Sequence, residues 1–113
     1  MKTEEIHQLI NNLQLEKAQF ELSKFGNEFL KDPEYLMLRG KLLSKQKRLY
    51  LAIDTLLLAL EFSENDLIFE LLSQIYNELQ NYDLSKKFLN KNQRLNTAKN
   101  LKKVLSGLNL NNN

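Results

Sequence analysis

Side chains that commonly carry out chemistry are scarce in this sequence. His7 is the single histidine, and there is no cysteine. A metal site or a catalytic triad needs several such groups, and His7 has none to join. Glu61, Glu64 and Asp66 surround a polar turn, where acids favour the start of the following helix. We therefore expect no catalytic residue, no metal site and no cofactor, and we expect His7 to be a surface residue of the first helix.

Other features that would mark an enzyme or a membrane protein are also missing from the pattern. Gly26, Gly40 and Gly107 are isolated, whereas a phosphate-binding loop needs clustered glycines. The N-terminal stretch reads MKTEEIHQLINNLQ, which has acids and no apolar core of the kind that a signal peptide carries. The longest apolar run, Leu56 to Leu60, is far shorter than the roughly 20 residues of a membrane span. The sequence predicts a cytoplasmic, non-enzymatic protein that does not insert into a membrane.

Charge is distributed unevenly along the chain, although its net value is only +2. Residues 1–34 hold seven acids and four bases, whereas residues 67–113 hold three acids and seven bases. The seven bases form a candidate basic patch and are Lys86, Lys87, Lys91, Arg94, Lys99, Lys102 and Lys103. Such a patch could dock RNA or an acidic protein. The alternative, which we favour because aromatic residues do not alternate with these bases, is the solvent-exposed outer face of two helices.

The elements that position these residues are predicted to be helices. The chain has one proline and three glycines, and its apolar residues recur at intervals of three and four. Asp32 is a suitable N-cap for the third helix, and Pro33 follows it as a suitable first helical residue. Thr3 could cap the first helix, and Gly26 falls inside the second. The expected helices cover about residues 3–12, 15–30, 33–43, 49–62, 67–79, 83–95 and 97–105.

An internal repeat connects these helices in pairs. Ala18, Ala52 and Ser85 fall 34 and 33 residues apart. In the preceding helices Ile6, Gly40 and Ser73 stand in the same register. Small residues at such positions let two helices approach closely, and the large apolar residues around them fill the space between neighbours. The period therefore indicates stacked helix pairs of equal size.

The repeat resembles the tetratricopeptide repeat, most closely over residues 33–96. The stretch LRGKLLSKQKRLYLAIDTLLLALEF places Gly40, Ala52 and Ala59 on that family's signature positions. The resemblance implies an all-α fold, a tetratricopeptide-like α-solenoid of three antiparallel helix pairs with a C-terminal capping helix. We predict one domain over residues 1–106, with pairs at about 1–31, 32–65 and 66–96, a cap at 97–106 and a flexible tail at 107–113.

The resemblance also implies a concave groove, lined by the first helix of each pair, that binds a partner. By register, the groove residues are His7, Ile10, Asn11, Met37, Lys41, Ser44, Lys45, Glu70, Gln74 and Asn77. The expected function is a non-catalytic protein–protein interaction module, an adaptor or an assembly or secretion-type chaperone, that holds a peptide or amphipathic helix. The alternative is a structural subunit of a larger complex that contacts RNA or an acidic partner through the basic patch. Stacked repeats leave exposed ends, so self-association is a further expectation.

Overall fold

The computed structural model of the chain describes residues 2–111, and within that range every regular element is a helix. The prediction of an all-α protein is therefore confirmed. The α-helices, numbered in chain order, are α1 (Thr3–Asn11), α2 (Leu15–Ser23), α3 (Pro33–Lys45), α4 (Leu49–Leu60), α5 (Asp66–Glu78), α6 (Tyr82–Leu89) and α7 (Arg94–Asn111). A single-turn 3-10 helix, Asn27–Phe29, lies between α2 and α3.

The chain divides into two compact units, Met1–Ile68 and Phe69–Asn113. In the first unit, α3 packs most extensively on α4, and α1 packs on both α2 and α3. In the second unit, α6 packs on α7. The single domain that we predict for residues 1–106, and the solenoid arrangement of its helix pairs, stay predictions.

Local capping chemistry sets where the helices begin. Asp32 Oδ1 accepts a hydrogen bond from the backbone N–H of Tyr35 at 3.0 Å, and Pro33 follows as the first residue of α3, as predicted. The cap of α5 is Asn65, whose Oδ1 accepts from the N–H of Leu67 at 2.8 Å. The expected cap at Thr3 is wrong, because Lys2 holds that position and α1 has no side-chain cap.

The second helix is shorter than predicted. α2 ends at Ser23, and Gly26, which we expected inside the helix, adopts an extended conformation with φ −85° and ψ −173°. The apolar spacing continues past the end of α2 because Phe25 and Phe29 pack in an aromatic cluster rather than on a helix face. Their ring centroids lie 5.0 Å apart, and the ring of Tyr35 stands 6.0 Å from that of Phe25. The cluster joins the segment after α2 to the start of α3.

The turns inside the three helix pairs share one backbone geometry. Leu13, Lys47 and Gln80 have φ values of 60°, 64° and 63° and are the only non-glycine residues between positions 2 and 111 with positive φ. After each of them, the next N–H bonds the carbonyl five residues back. These bonds are Gln14 to Leu9 at 2.8 Å, Arg48 to Leu43 at 2.9 Å and Asn81 to Tyr76 at 2.8 Å. This is the Schellman ending of a helix, and it recurs at the period of the sequence repeat.

Replacing Leu13 with glycine is expected to stabilise the protein by up to about 1 kcal/mol. The left-handed conformation costs a residue that has a Cβ roughly 1–2 kcal/mol, whereas glycine adopts it freely. Part of the resulting gain in stability is lost, because glycine also raises the conformational entropy of the unfolded chain. Leu13 is 67% exposed, so little packing is lost. The check is urea unfolding followed by circular dichroism. Gln14→Gly is the control and should destabilise, and a Leu13→Gly protein that is no more stable than wild type would contradict the turn geometry.

Close packing in the first unit depends on Gly40. A Cβ placed on this residue would lie 2.6 Å from both Cγ and Cδ2 of Leu56. Leu56 is completely buried, as are Ala52 and Ala59 on the same helix. The small residues of the repeat therefore do what their spacing predicted for this pair, which is to bring α3 and α4 into direct contact.

In the second unit the equivalent small positions are serines. Ser73 Oγ donates to the carbonyl of Ser85, Ser85 Oγ donates to the carbonyl of Ser73, and each bond is 2.9 Å long. Both serines are buried, so these reciprocal bonds satisfy their hydroxyls at a close helix crossing. One turn further along, the rings of Tyr76 and Phe88 stack with centroids 5.7 Å apart.

The last two helices differ from the expected boundaries. α6 ends at Leu89 rather than near residue 95, because Asn90 leaves the helical conformation with φ −88° and ψ 115°. α7 begins at Arg94 and continues past the expected cap end at residue 106 as far as Asn111. Helix thus covers most of the segment that we predict to be a flexible tail. Residues 112 and 113 of that tail lie outside the described residues.

Candidate partner-binding face

The residues predicted to line the groove from α1 and α3 come together in the first unit, where these two helices pack on each other. Within each helix the positions are spaced by three or four residues and therefore share one face. We call this surface the α1–α3 face and define it by the members that solvent reaches, which are His7, Asn11, Lys41, Ser44 and Lys45. The face carries basic groups, an amide and a hydroxyl.

Two predicted groove residues are core residues instead. Ile10 is 0% exposed and Met37 is 6% exposed. Both side chains therefore belong to the hydrophobic core of the first unit. Ile10 is therefore not available to a partner. A substitution such as Met37→Glu would bury a carboxylate and destabilise the fold, which makes it unsuitable as a test of binding.

A hydrogen bond connects the two helices at the centre of the face. Lys41 Nζ lies 3.3 Å from His7 Nδ1, across 34 residues of sequence. A lysine ammonium has only donors, so the histidine must be neutral and must accept at Nδ1, with its own proton on Nε2. His7 is half-buried at the surface of the α1–α3 face and is hydrogen-bonded there.

The surroundings favour this protonation state. Burial lowers the pKa of His7 from its usual 6.5, and the positive charge of Lys41 lowers it further, while Glu4 and Glu34 act in the opposite direction. Burial also lowers the pKa of Lys41, with Lys45 adding to the effect and Glu4 opposing it. Two basic groups can share this site because one of them gives up its charge.

Acidification is expected to destabilise the protein through His7. The pKa of this residue is lower in the folded chain than in the unfolded chain, so the unfolded state binds more protons below about pH 6.5. Its contribution to stability is therefore complete above that pH and decreases as the pH falls toward the folded value. The measurement is urea unfolding at about pH 7 and about pH 5.

A matched variant isolates the histidine in this experiment. His7→Gln keeps an acceptor for Lys41 and removes the titrating group. The variant should lose less stability than wild type over the same pH interval, with Glu4, Glu34 and Lys45 unchanged around it. Equal losses in the two proteins would show that His7 is not the group responsible.

A small cavity opens beside the α1–α3 face. It encloses about 170 Å³ and is lined by Pro33, Glu34, Met37, Ser63, Asn65 and Ile68. Met37 is largely buried but forms part of this concave wall. The cavity is large enough for one apolar side chain of a bound segment, with the Glu34 carboxylate at its edge.

The remaining predicted groove residues belong to the second unit. Glu70, Gln74 and Asn77 stand at positions i, i+4 and i+7 of α5 and are all exposed. They form one polar face of that helix. Their spacing agrees with a helix surface that can make hydrogen bonds to a partner.

The seven bases of the predicted patch are not equally accessible. Lys87 Nζ bonds Asp83 Oδ2 at 3.2 Å, and the Arg94 guanidinium lies over the Phe69 ring at 4.4 Å from its centroid. Lys102 also has an interaction partner. The exposed members are Lys86, Lys91, Lys99 and Lys103. Part of the predicted patch therefore interacts with groups of the chain itself.

The α1–α3 face offers hydrogen bonds and charge but no grouping suited to a metal ion. Over residues 2–111, no three histidine, cysteine, aspartate or glutamate side chains are placed so that they could hold a metal. In the same range no helix has the length and apolar character required to cross a bilayer.

Sequence reasoning missed a second concave region, between α2 and α3. Arg39 and Arg48 both line it, although neither was singled out from the sequence. The signal was the series Tyr35, Arg39 and Gln46, which occupies one side of α3.

No protein-family model, curated protein or solved structure matches the chain.

Proposed function

We propose that the chain is a tetratricopeptide-type interaction module that binds a peptide or helix of another protein and catalyses no reaction. The observation that supports this most strongly is the recurrence of one Schellman turn at Leu13, Lys47 and Gln80, in register with the sequence repeat. Repeated helix pairs of this kind present successive helices as a binding surface. The partner is held at the α1–α3 face, and the protein acts in the cytoplasm.

The chemistry of the face indicates how the partner is recognised. Lys41 and Lys45 provide ammonium donors, and Asn11 and Ser44 provide groups that both donate and accept. The cavity beside Met37 accepts an apolar side chain. A segment that combines carbonyl or carboxylate acceptors with one apolar anchor fits these features, as in peptide recognition by helical grooves.

The test is affinity capture from a lysate of the source cells with two variants of equal charge change. Lys41→Glu with Lys45→Glu reverses the charge of the α1–α3 face. Lys17→Glu with Lys31→Glu changes two exposed lysines elsewhere in the same unit. Loss of one dominant protein with the first variant and its retention with the second is the expected result. Retention with both variants would contradict binding at this face.

A second candidate function, a subunit that contacts RNA, is supported by the exposure of Lys86, Lys91, Lys99 and Lys103. Binding of this kind depends on phosphate neutralisation and weakens steeply with salt. A single-stranded RNA titrated at low and at physiological salt distinguishes the two functions. Strong, salt-dependent binding that is lost in Lys99→Gln with Lys103→Gln would favour RNA, and no binding at low salt would eliminate it.

A further inference from the structure

The cavity between α2 and α3 has a composition that indicates a ligand. It encloses about 200 Å³, and its lining includes Arg39, Arg48, Gln19, Gln46, Leu22 and Leu42. No carboxylate is among the lining residues, so the cavity contains two positive charges and no negative one. Leucine side chains form the apolar part of its wall.

Neither arginine is neutralised by the protein. Over residues 2–111 the structure shows no ion pair and no hydrogen bond for the guanidinium of Arg39 or Arg48. Both residues are exposed, and each guanidinium presents donors in the fork geometry that suits a carboxylate. Two unpaired cations beside one concavity create a local positive potential that favours an anionic group.

The polar side chains nearby are partly fixed in position. Gln46 Nε2 donates to Gln19 Oε1 at 2.8 Å, which connects α3 to α2 across the cavity. The Gln19 amide nitrogen still has donors to offer a ligand. Hydrogen bonding between the two glutamines reduces the side-chain entropy lost when a ligand binds.

This cavity is separate from the surface proposed to hold the partner. Tyr35, Arg39 and Gln46 lie on one side of α3, whereas Lys41 and Ser44 lie on the opposite side, as the 3.6-residue helical period requires. A ligand in the cavity would therefore leave the α1–α3 face free.

We propose that the cavity between α2 and α3 binds the acidic side chain of a protein segment, with its carboxylate held by Arg39 and Arg48 and an adjacent apolar residue against Leu22 and Leu42. The positive charge of the lining selects a carboxylate, and the leucines select an apolar residue next to it in the same segment. This gives the protein a second, charge-selective contact with a polypeptide, which does not depend on the proposed function of the α1–α3 face.

The experiment is fluorescence anisotropy of the full chain with a labelled peptide in which two glutamates are flanked by leucines. The same peptide with glutamines in place of the glutamates is the neutral control. The glutamate peptide should bind wild type and lose at least about tenfold in affinity with Arg39→Gln plus Arg48→Gln, since charge-assisted bonds to both guanidiniums are removed. Lys17→Gln with Lys31→Gln, which has the same net charge, should bind within about twofold of wild type.

Each contrary result has a definite meaning. Equal weakening of peptide binding in the two double variants would indicate nonspecific charge attraction and would overturn the site. Undiminished binding by the arginine variant, or no binding of the peptide to wild type, would also overturn it. Displacement of the peptide by inorganic phosphate more effectively than by acetate would overturn the carboxylate assignment. A Lys41→Glu protein should bind the peptide normally, so that failure of the α1–α3 face and failure of this cavity are observed separately.

Discussion

Replacing Phe88 with alanine is expected to lower the free energy of unfolding by about 3–5 kcal/mol. Phe88 is 0% exposed and its ring stacks on that of Tyr76, with an interplanar angle of 14°. Removing the ring leaves a void near the Ser73–Ser85 crossing, because packed helices relax only partially around a lost side chain. Since small proteins have about 5–15 kcal/mol of stability in total, much of that reserve would be lost.

The adjacent residue provides the control for this substitution. Leu89 follows Phe88 in α6 but is 60% exposed, so Leu89→Ala should change stability by about 0.5 kcal/mol or less. Both variants are measured by urea unfolding with circular dichroism. Similar losses in the two proteins, or a loss below about 1 kcal/mol for Phe88→Ala, would contradict the orientation of α6.

Gly40→Ala is expected to destabilise the protein, although alanine favours helices more than glycine does. The new methyl group would lie 2.6 Å from Leu56 Cγ, and overpacking of this kind costs about 1–3 kcal/mol. The higher helix propensity of alanine offsets this cost by up to about 1 kcal/mol. Thermal unfolding should therefore show a net loss of about 1–2 kcal/mol.

The same substitution in another helix should have the opposite sign. Gly107 lies in α7, and no atom stands within 4 Å of the point that an added methyl group would occupy, so Gly107→Ala gains propensity without a clash. In a Leu56→Ala background, Gly40→Ala should also lose most of its cost, because the atoms that it meets are gone. A stabilising effect of Gly40→Ala in the wild-type protein would contradict the close approach of α3 and α4.

The sequence predicts the parts of this fold that depend on local chemistry. The start of α3 follows from Asp32 and Pro33, whose cap and fixed φ act within a single turn. The contact at Gly40 follows from the small-residue period, because close helix packing needs a missing side chain. Both features could be inferred without knowing what lies elsewhere in the chain.

The errors occur where tertiary contacts decide between alternatives of similar local energy. Phe25 and Phe29 continue a helical spacing, yet they pack as an aromatic cluster outside α2. Leu89 stands in register with Leu22 and Leu56, which are buried, but α6 ends at Leu89 and leaves it exposed. Spacing indicates which residues would share a helix face, but it does not indicate where the helix ends.

The candidate site follows the same division. The register of the repeat brings His7 and Lys41 onto one face, and they meet there at 3.3 Å. It does not reveal that Ile10 and Met37 are covered, because burial depends on how neighbouring elements pack around them. Arg39 and Arg48 were missed because the series Tyr35, Arg39 and Gln46 indicates only a shared side of α3, and whether a cavity lies there depends on how α2 packs beside it.

The most direct test of the proposed interaction surface is site-specific photo-crosslinking in the source cells. A photoreactive amino acid is placed in turn at three exposed positions: Lys45 on the α1–α3 face, Lys17 on α2 and Lys103 on α7. We predict that position 45 cross-links to one partner polypeptide and that positions 17 and 103 do not. Cross-links from position 103 or 17 without one from position 45 would show that the partner binds elsewhere and would contradict the proposed function of the α1–α3 face.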